Sequence, residues 1–226
     1  MNILAVDTAL GACSAALLTN GRTLARGHCE MQRGHAEALA PMVESVMHEG
    51  GLAFSALDKI AVTTGPGTFT GQRVGLAFAR ALGMALRKPV IGVTTLDAMA
   101  EEVLAKAKNP GWAIAAADAK RGEIYLGARA ANGERLLAPE LVLLGAAAAR
   151  VAAFVSSCGR SVVIAGTAAE AVLPLLQRAG LEPSDSGVRQ PNAVFVAKLA
   201  TGITGGPPPK PLYLRPPDAK LPGGMS

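Results

Sequence analysis

One pattern is written twice in this chain, and the repetition restricts its fold more than any other feature. Asn2 to Asp7 is an apolar run ending in an acid; a second run, Ala12 to Leu18, follows, and Arg22 to Glu30 comes after the turn Thr19-Asn20-Gly21. In the second half Trp112 to Asp118 again ends in an acid, Glu123 to Ala130 follows, and Asn132-Gly133 turns the chain into Glu134 to Leu137. An Asn-Gly pair between such runs signals a hairpin, because the tight turn needs positive φ at its central residues. Each half therefore opens with a strand ending in Asp and continues into hairpins, as a duplicated lobe would.

Segments of helical period lie between and after these hairpins. His35 to His48 sets Leu39, Met42, Val43, Val46 and Met47 on one face. A strand, Lys59 to Thr64, leads into a helix whose body is Arg73 to Leu82, then a strand Pro89 to Val93 and a helix Thr94 to Ala107. The second half adds a helix near Gly145 to Ser156, a strand Ser161 to Ala165, a helix Ala168 to Ala179 and a last helix Asn192 to Thr201. Strands followed by returning helices imply an α/β fold of mixed sheets flanked by helices.

The loop Gly65-Pro66-Gly67-Thr68-Phe69-Thr70-Gly71 joins the strand to the apolar helix. Pro66 fixes its own φ and pushes Gly65 out of the helical region, while the glycines permit positive φ or close approach of another chain. Thr70 is expected to cap the helix. A helix opening on free N–H groups suits an anion, yet the loop lacks the Gly-Lys-Ser/Thr ending of a phosphate loop. The residues alone leave a tight structural turn and a functional loop equally open.

At 226 residues the chain makes one domain or two small ones, with a sizeable core. Its 50% apolar content is swollen by alanine, and no run reaches the ~18 residues of a membrane span. The first residues carry no basic leader, so a cytoplasmic protein is expected. Cys13, Cys29 and Cys158 have no metal or redox spacing and read as buried free thiols. The net charge of +5 permits contact with nucleic acid, and Arg121, Arg129 and Arg135 could gather into a patch.

Gly65 to Leu82, Val6-Asp7-Thr8, Asp118 to Tyr125 and Pro211-Leu212-Tyr213-Leu214-Arg215 together resemble the TsaB (YeaZ-like) family of bacterial tRNA threonylcarbamoyladenosine biosynthesis proteins. The likeness keeps its order over nearly the whole chain. One departure is Gln72, where the family usually has an apolar residue, which puts the local packing of that helix in question. The resemblance implies a two-lobe actin-like (ASKHA, ribonuclease-H-like) fold. Its lobes would be 1–100, with 191–214 packing back, and 101–190, followed by a disordered tail, 215–226.

In actin-like ATPases a carboxylate-bearing hairpin in each lobe grips nucleotide. Asp7, Thr8 and Asp118 stand where those hairpins would be, and Gly166 where the adenosine element would be. Ala119-Lys120-Arg121 replaces the phosphate-binding glycines, so the residues favour a fossil cleft over a live nucleotide site. No cofactor is expected. The catalytic relative, TsaD, carries a His-x-x-x-His metal pair; here Thr95 and Met99 stand in those positions, and His28, His35 and His48 fit no metal motif. No metal is expected either. Ser14 and Cys13 lack a partner histidine for nucleophilic chemistry.

What remains is surface. The helix Thr70 to Leu86 is apolar around more than one face, so it is either enclosed in its own lobe or shared with another chain. The resemblance implies the second, with His35, Glu37, Met42, Val46, Arg73, Val74 and Phe78 as partner-binding residues. It implies a non-catalytic scaffold that binds a TsaD-type catalytic subunit, acts with a TsaE-type ATPase, meets tRNA through the complex and pairs with itself when alone. The product would be threonylcarbamoyladenosine at position 37 of ANN-decoding tRNA. A degenerate metal-dependent peptidase or carbamoyltransferase of the same superfamily is the alternative, and an actin-like sugar or acyl kinase the next.

Overall fold

The computed structural model describes residues 1–108 and 111–215; Asn109, Pro110 and Pro216 to Ser226 lie outside them, and with them all of the expected disordered tail except Arg215. The first half forms β1 (Asn2–Asp7), β2 (Ala12–Thr19), β3 (Arg22–Glu30), α1 (His35–Glu49), β4 (Lys59–Thr63), α2 (Phe69–Leu86), β5 (Val90–Val93) and α3 (Thr95–Lys106). The second forms β6 (Trp112–Lys120), β7 (Glu123–Ala130), β8 (Arg135–Leu143), α4 (Ala147–Ala152), α5 (Val155–Cys158), β9 (Ser161–Ala165), α6 (Ala169–Arg178), β10 (Glu182–Asp185) and α7 (Ala193–Thr201). The first sheet runs β3-β2-β1-β4-β5 and the second β8-β7-β6-β9-β10, the same arrangement strand for strand. In each, the hairpin strands pair antiparallel and the remaining strands pair parallel.

The central strands are apolar on both faces because helices cover both. Leu4 and Val6 of β1, with Cys13, Ala15 and Leu17 of β2, meet α1 and α2. Ile3, Ala5, Ala16 and Leu18 point the other way and meet α7 and Ala98 of α3. In the second sheet Trp112, Ile114 and Ala116 of β6 pack with residues of α4 and α6, while Ala113, Ala115 and Ala117 pack with Leu96, Met99, Ala100 and Val103 of α3. The row of alanines lets α3 approach closely, so this helix lies between the two sheets. Lys59 is nearly buried; its Nζ donates to the carbonyls of Ala200 at 3.1 Å and Ile203 at 2.7 Å, capping the C-terminal end of α7 against the first sheet.

A buried carboxylate also joins the lobes. Asp97 of α3 accepts from Thr94 Oγ1 at 2.6 Å, from Arg129 Nη1 at 3.3 Å and from Arg135 through Nε at 3.2 Å and Nη2. Burial raises its pKa, but the hydrogen bonds of Arg135 and Thr94 and the charges of Arg135 and Arg129 outweigh that and hold it below the usual range. Arg129 and Arg135 are therefore committed to Asp97 and do not form the basic patch that their closeness in sequence suggested.

Three expectations change at element ends. Thr68, not Thr70, caps α2, its hydroxyl accepting from Gly71 N at 3.1 Å. β8 runs on to Leu143, through Pro139, which an edge strand tolerates. The helix expected near Gly145 to Ser156 is split into α4 and α5.

Candidate functional site

The two hairpins that would flank a nucleotide cleft differ in chemistry. Asp7, at the end of β1, is fully buried. Its Oδ1 accepts from Thr63 Oγ1 at 2.6 Å and Ala9 N at 3.1 Å, while Oδ2 has no partner among the described residues. Burial pushes its pKa up to about 7, against the pull of the Thr63 and Ala9 hydrogen bonds. Thr8, also buried, donates from Oγ1 to the Gly71 carbonyl at 2.7 Å. The amides that a phosphate would seek here are occupied: Ala9 N by Asp7, and Gly11 N by Gln190 Oε1 at 2.8 Å.

Asp118 lies in the open. Its carboxylate accepts from Lys120 N at 2.7 Å and Lys120 Nζ at 2.6 Å, and those hydrogen bonds lower its pKa against a smaller effect of burial. Lys120, Arg121 and Gly122 all take positive φ, at 66°, 59° and 74°. Gly166 has φ 105°, and a Cβ on it would run into the Ala116 carbonyl. Its neighbour Thr167 accepts from Asp118 N at 2.9 Å. Gly166 and Asp118 are thus brought close, whereas Asp7 and Asp118 share no hydrogen-bonding partner among the described residues.

The loop before α2 works by close approach. Only Gly65 among Gly65, Gly67 and Gly71 has positive φ, at 104°, and the Gly65–Pro66 bond is cis. At Gly67 a Cβ would enter the Ala9 carbonyl, and at Gly71 the Thr8 carbonyl. The loop is fastened by Thr68 N to Ala9 O at 2.8 Å and Thr95 N to Gly65 O at 2.8 Å. Gln72 is buried here; its Nε2 donates to Gly67 O at 2.9 Å, so the unusual polar residue braces the loop from the helix side.

The expected partner-binding residues divide. Val46 is buried in the core of the first lobe and is corrected accordingly: it offers no surface. Met42, Val74 and Phe78 are half-buried against the same core, and a Cβ on Gly27 would meet Met42 Cγ at 2.7 Å, so Met42 packs on β3. His35 Nε2 donates to Leu10 O at 3.0 Å, tying α1 to the first hairpin. Glu37 and Arg73 are exposed. The sequence reading missed Phe69, Met84 and Tyr213, which are 56%, 79% and 45% exposed. Phe69, Arg73, Ala77, Arg80, Ala81 and Met84 follow helical spacing, so they form one outward stripe on α2. Tyr213 could not have been joined to it by sequence spacing, since it meets Arg73 from 140 residues away.

Thr95 and Met99, in the positions of the metal pair, are fully buried in α3. Among the described residues no three His, Cys, Asp or Glu side chains gather to hold a metal, and no helix is long and apolar enough to cross a membrane. Of the cysteines only Cys13 is buried; Cys29 is exposed and Cys158 half-buried, contrary to the reading of all three as buried thiols.

Residues 29–178 match the family described as TsaD: tRNA N6-adenosine threonylcarbamoyltransferase. The Escherichia coli tRNA threonylcarbamoyladenosine biosynthesis protein TsaB is 38% identical over 63% of this chain and 64% of its own length, so the match spans just under two thirds of that relative. A Pseudomonas aeruginosa structure, described as similar to peptidase YeaZ, superposes with a TM-score of 0.80 at 30% identity, over 95% of this chain and 99% of that one. The ROK hexokinase of Thermus thermophilus shares the fold alone, at a TM-score of 0.50 and 18% identity over 87% of this chain and 97% of its own. With two repeated mixed sheets flanked by helices, this is an actin-like architecture, and the chain belongs to the TsaB (YeaZ-like) family.

Proposed function

We propose that the chain is a non-catalytic scaffold subunit in the biosynthesis of threonylcarbamoyladenosine at position 37 of ANN-decoding tRNA. It binds a TsaD-type catalytic subunit and holds it competent, alongside a TsaE-type ATPase, in the cytoplasm, and pairs with itself when alone. The observation that carries this reading is the α2 stripe of Phe69, Arg73, Ala77, Arg80, Ala81 and Met84, left exposed by a helix whose opposite face is buried. Small residues at helical spacing let a second helix pack closely, and an aromatic, an arginine and a methionine are the residue types enriched at interfaces. The closed first hairpin supports the non-catalytic part, because the Ala9 and Gly11 amides are already paired within the protein.

The test is titration of the full chain into the TsaD-type protein of the same cell. Ala81→Glu and Met84→Glu place an ion on the stripe without entering the core and should weaken binding at least tenfold, since an unpaired charge would be desolvated. Variants that fold and bind like the parent exclude this face. Robust turnover of ATP or a threonylcarbamoyl donor by the isolated chain, abolished by Asp7→Ala, overturns the scaffold.

A further inference from the structure

Arg73 is unusually well prepared to receive an anion. Its guanidinium lies over the Phe69 ring, with Cζ 3.6 Å from the centroid, and its Nε donates to the Tyr213 hydroxyl at 2.9 Å. The two rings stack on each other, centroids 5.5 Å apart at 28°. Stacking fixes the plane of the guanidinium, and the Nε bond fixes its rotation within that plane. That bond is the only side-chain hydrogen bond of Arg73 among the described residues, which leaves the edge formed by Nη1 and Nη2 available. A planar fork held this way matches a carboxylate bidentately, with little rotamer freedom left to lose.

The third member of the cluster reaches Arg73 on a strap that runs from one lobe to the other. Pro209 is buried; the Cβ that Gly92 lacks would meet its Cβ at 2.7 Å. Leu212 N then donates to Thr64 O at 2.7 Å, at the entry to the α2 loop. Beyond Tyr213, Arg215 pairs with Glu123 of the second lobe and reaches Lys120 O at 3.5 Å. Tyr213 is therefore fastened on both sides, and its hydroxyl is presented rather than adventitious.

We infer that Phe69, Arg73 and Tyr213 form a pre-oriented anion anchor at one end of the α2 stripe, and that its ligand is an aspartate or glutamate side chain of the partner subunit. This rests on the partner reading above and adds its chemistry. Phosphate of an RNA is the competing anion, and two features favour protein. The stripe continues from Arg73 as Ala77, Ala81 and Met84, a packing surface of small and apolar side chains in which Arg80 is, among the described residues, the one further exposed cation of α2. The neighbouring helix α1 exposes Glu37, Glu44 and Glu49, which repel a polyanion.

Calorimetric titration of the full chain into the TsaD-type protein, at low and high salt, tests the anchor. Arg73→Ala should weaken binding about tenfold or more and flatten its salt dependence. Arg73→Lys keeps the charge without the planar fork and should lose nearly as much. Tyr213→Phe keeps the ring stack and removes only the hydroxyl that orients Nε; a loss of about threefold, confined to low salt, marks a positioning role that mere packing would not produce. If the parent binds and both Arg73 variants match its affinity and salt slope, the anchor is wrong while the partner reading stands. If the parent does not bind, the partner reading fails and takes the anchor with it. If the Arg73 variants keep partner affinity but lose binding to a tRNA transcript, the anion is phosphate and the carboxylate assignment is overturned.

Discussion

The turn after β1 and the turn after β6 occupy the same place in two copies of one lobe, yet they have gone opposite ways. In the first, Asp7 and Thr8 are buried and α2 presses on the turn: Thr8 bonds Gly71 O, and Thr68 N bonds Ala9 O. In the second, Asp118 is exposed and spends its carboxylate on Lys120, with Lys120, Arg121 and Gly122 in left-handed conformations. One carboxyl group is driven up by burial and the other is held down by a neighbouring lysine. What differs is the helix, not the strand. The first copy brings an α2 with glycines at 71 and 75 onto its turn; a Cβ on Gly75 would stand 2.7 Å from Thr8 Oγ1. The second copy brings α6 instead, and its glycine contact is Gly166 on the Ala116 carbonyl, deeper along β6.

The sharpest way to break this contrast is to add one carbon to each glycine. Gly71→Ala would drive a Cβ into the Thr8 carbonyl, and Gly166→Ala into the Ala116 carbonyl from a φ of 105°. Neither obstacle is a flexible side chain, so each substitution should cost about 3 kcal/mol or more in urea unfolding. Of the two roles open to the loop glycines, positive φ and close approach, Gly67 and Gly71 take the second. A Gly71→Ala variant as stable as the parent would mean that α2 does not clamp the first turn.

Asp7 gives an effect of comparable size, and its sign can be worked out. Its folded pKa of about 7 lies above the unfolded value of 3.8, so the folded protein holds the proton more tightly. That contribution is fully present below the unfolded pKa and is lost as pH rises through about 7. Between those limits it amounts to about 4 kcal/mol. Asp7→Asn carries no titrating proton there, so the stability difference between parent and variant should swing against the parent from pH 4 to pH 7 and then level off. A difference that stays flat across this range would show that Asp7 is solvated or paired, and the contrast between the turns would collapse.

Asp97 shows that burial alone does not set the direction. It is buried, at 4% exposure against 0% for Asp7, but faces Arg129 and Arg135, and its carboxyl is held down. Asp97→Ala strips Arg129, only 11% exposed, of its closest carboxylate and should cost about 3 kcal/mol. Thermal unfolding of Asp97→Ala against Asp97→Asn checks this; Asn, which keeps an acceptor for both arginines, should recover part of the loss.

Much of this fold was legible because it is local. Hairpins announced by Asn20-Gly21 and Asn132-Gly133, and the strand ending in Asp7, stand where the residues placed them, whereas β6 runs past Asp118 to Lys120. β10 escaped because Glu-Pro-Ser-Asp has neither apolar alternation nor strand formers, and its pairing with β9 at the sheet edge is a tertiary fact. Val46 was misplaced on the partner face because helical spacing cannot tell which apolar side chain of a wide stripe meets the core. Phe69 with Tyr213, and Asp97 with its arginines, were invisible for a different reason: each joins residues from separate elements, and no spacing rule spans that distance.

The smallest effect belongs to Asp118, and its smallness is what the comparison requires. The Asp118 carboxylate side chain is 42% exposed and Lys120 80%, so water screens the pair and its worth is under about 1 kcal/mol. Because the folded pKa is lowered, the contribution is present above the unfolded value and is lost as pH falls through the folded one, the reverse of Asp7. Asp118→Asn should therefore be less stable than the parent by under about 1 kcal/mol at pH 7, and the difference should shrink towards zero as pH falls below the unfolded value, with high salt reducing it throughout. Chemical denaturation at pH 7 and at an acid pH of about 2, each at two salt concentrations, measures it. A loss as large as that of the Asp97 variant would mean that the second turn is as enclosed as the first, and the two copies would then differ in sequence but not in physics.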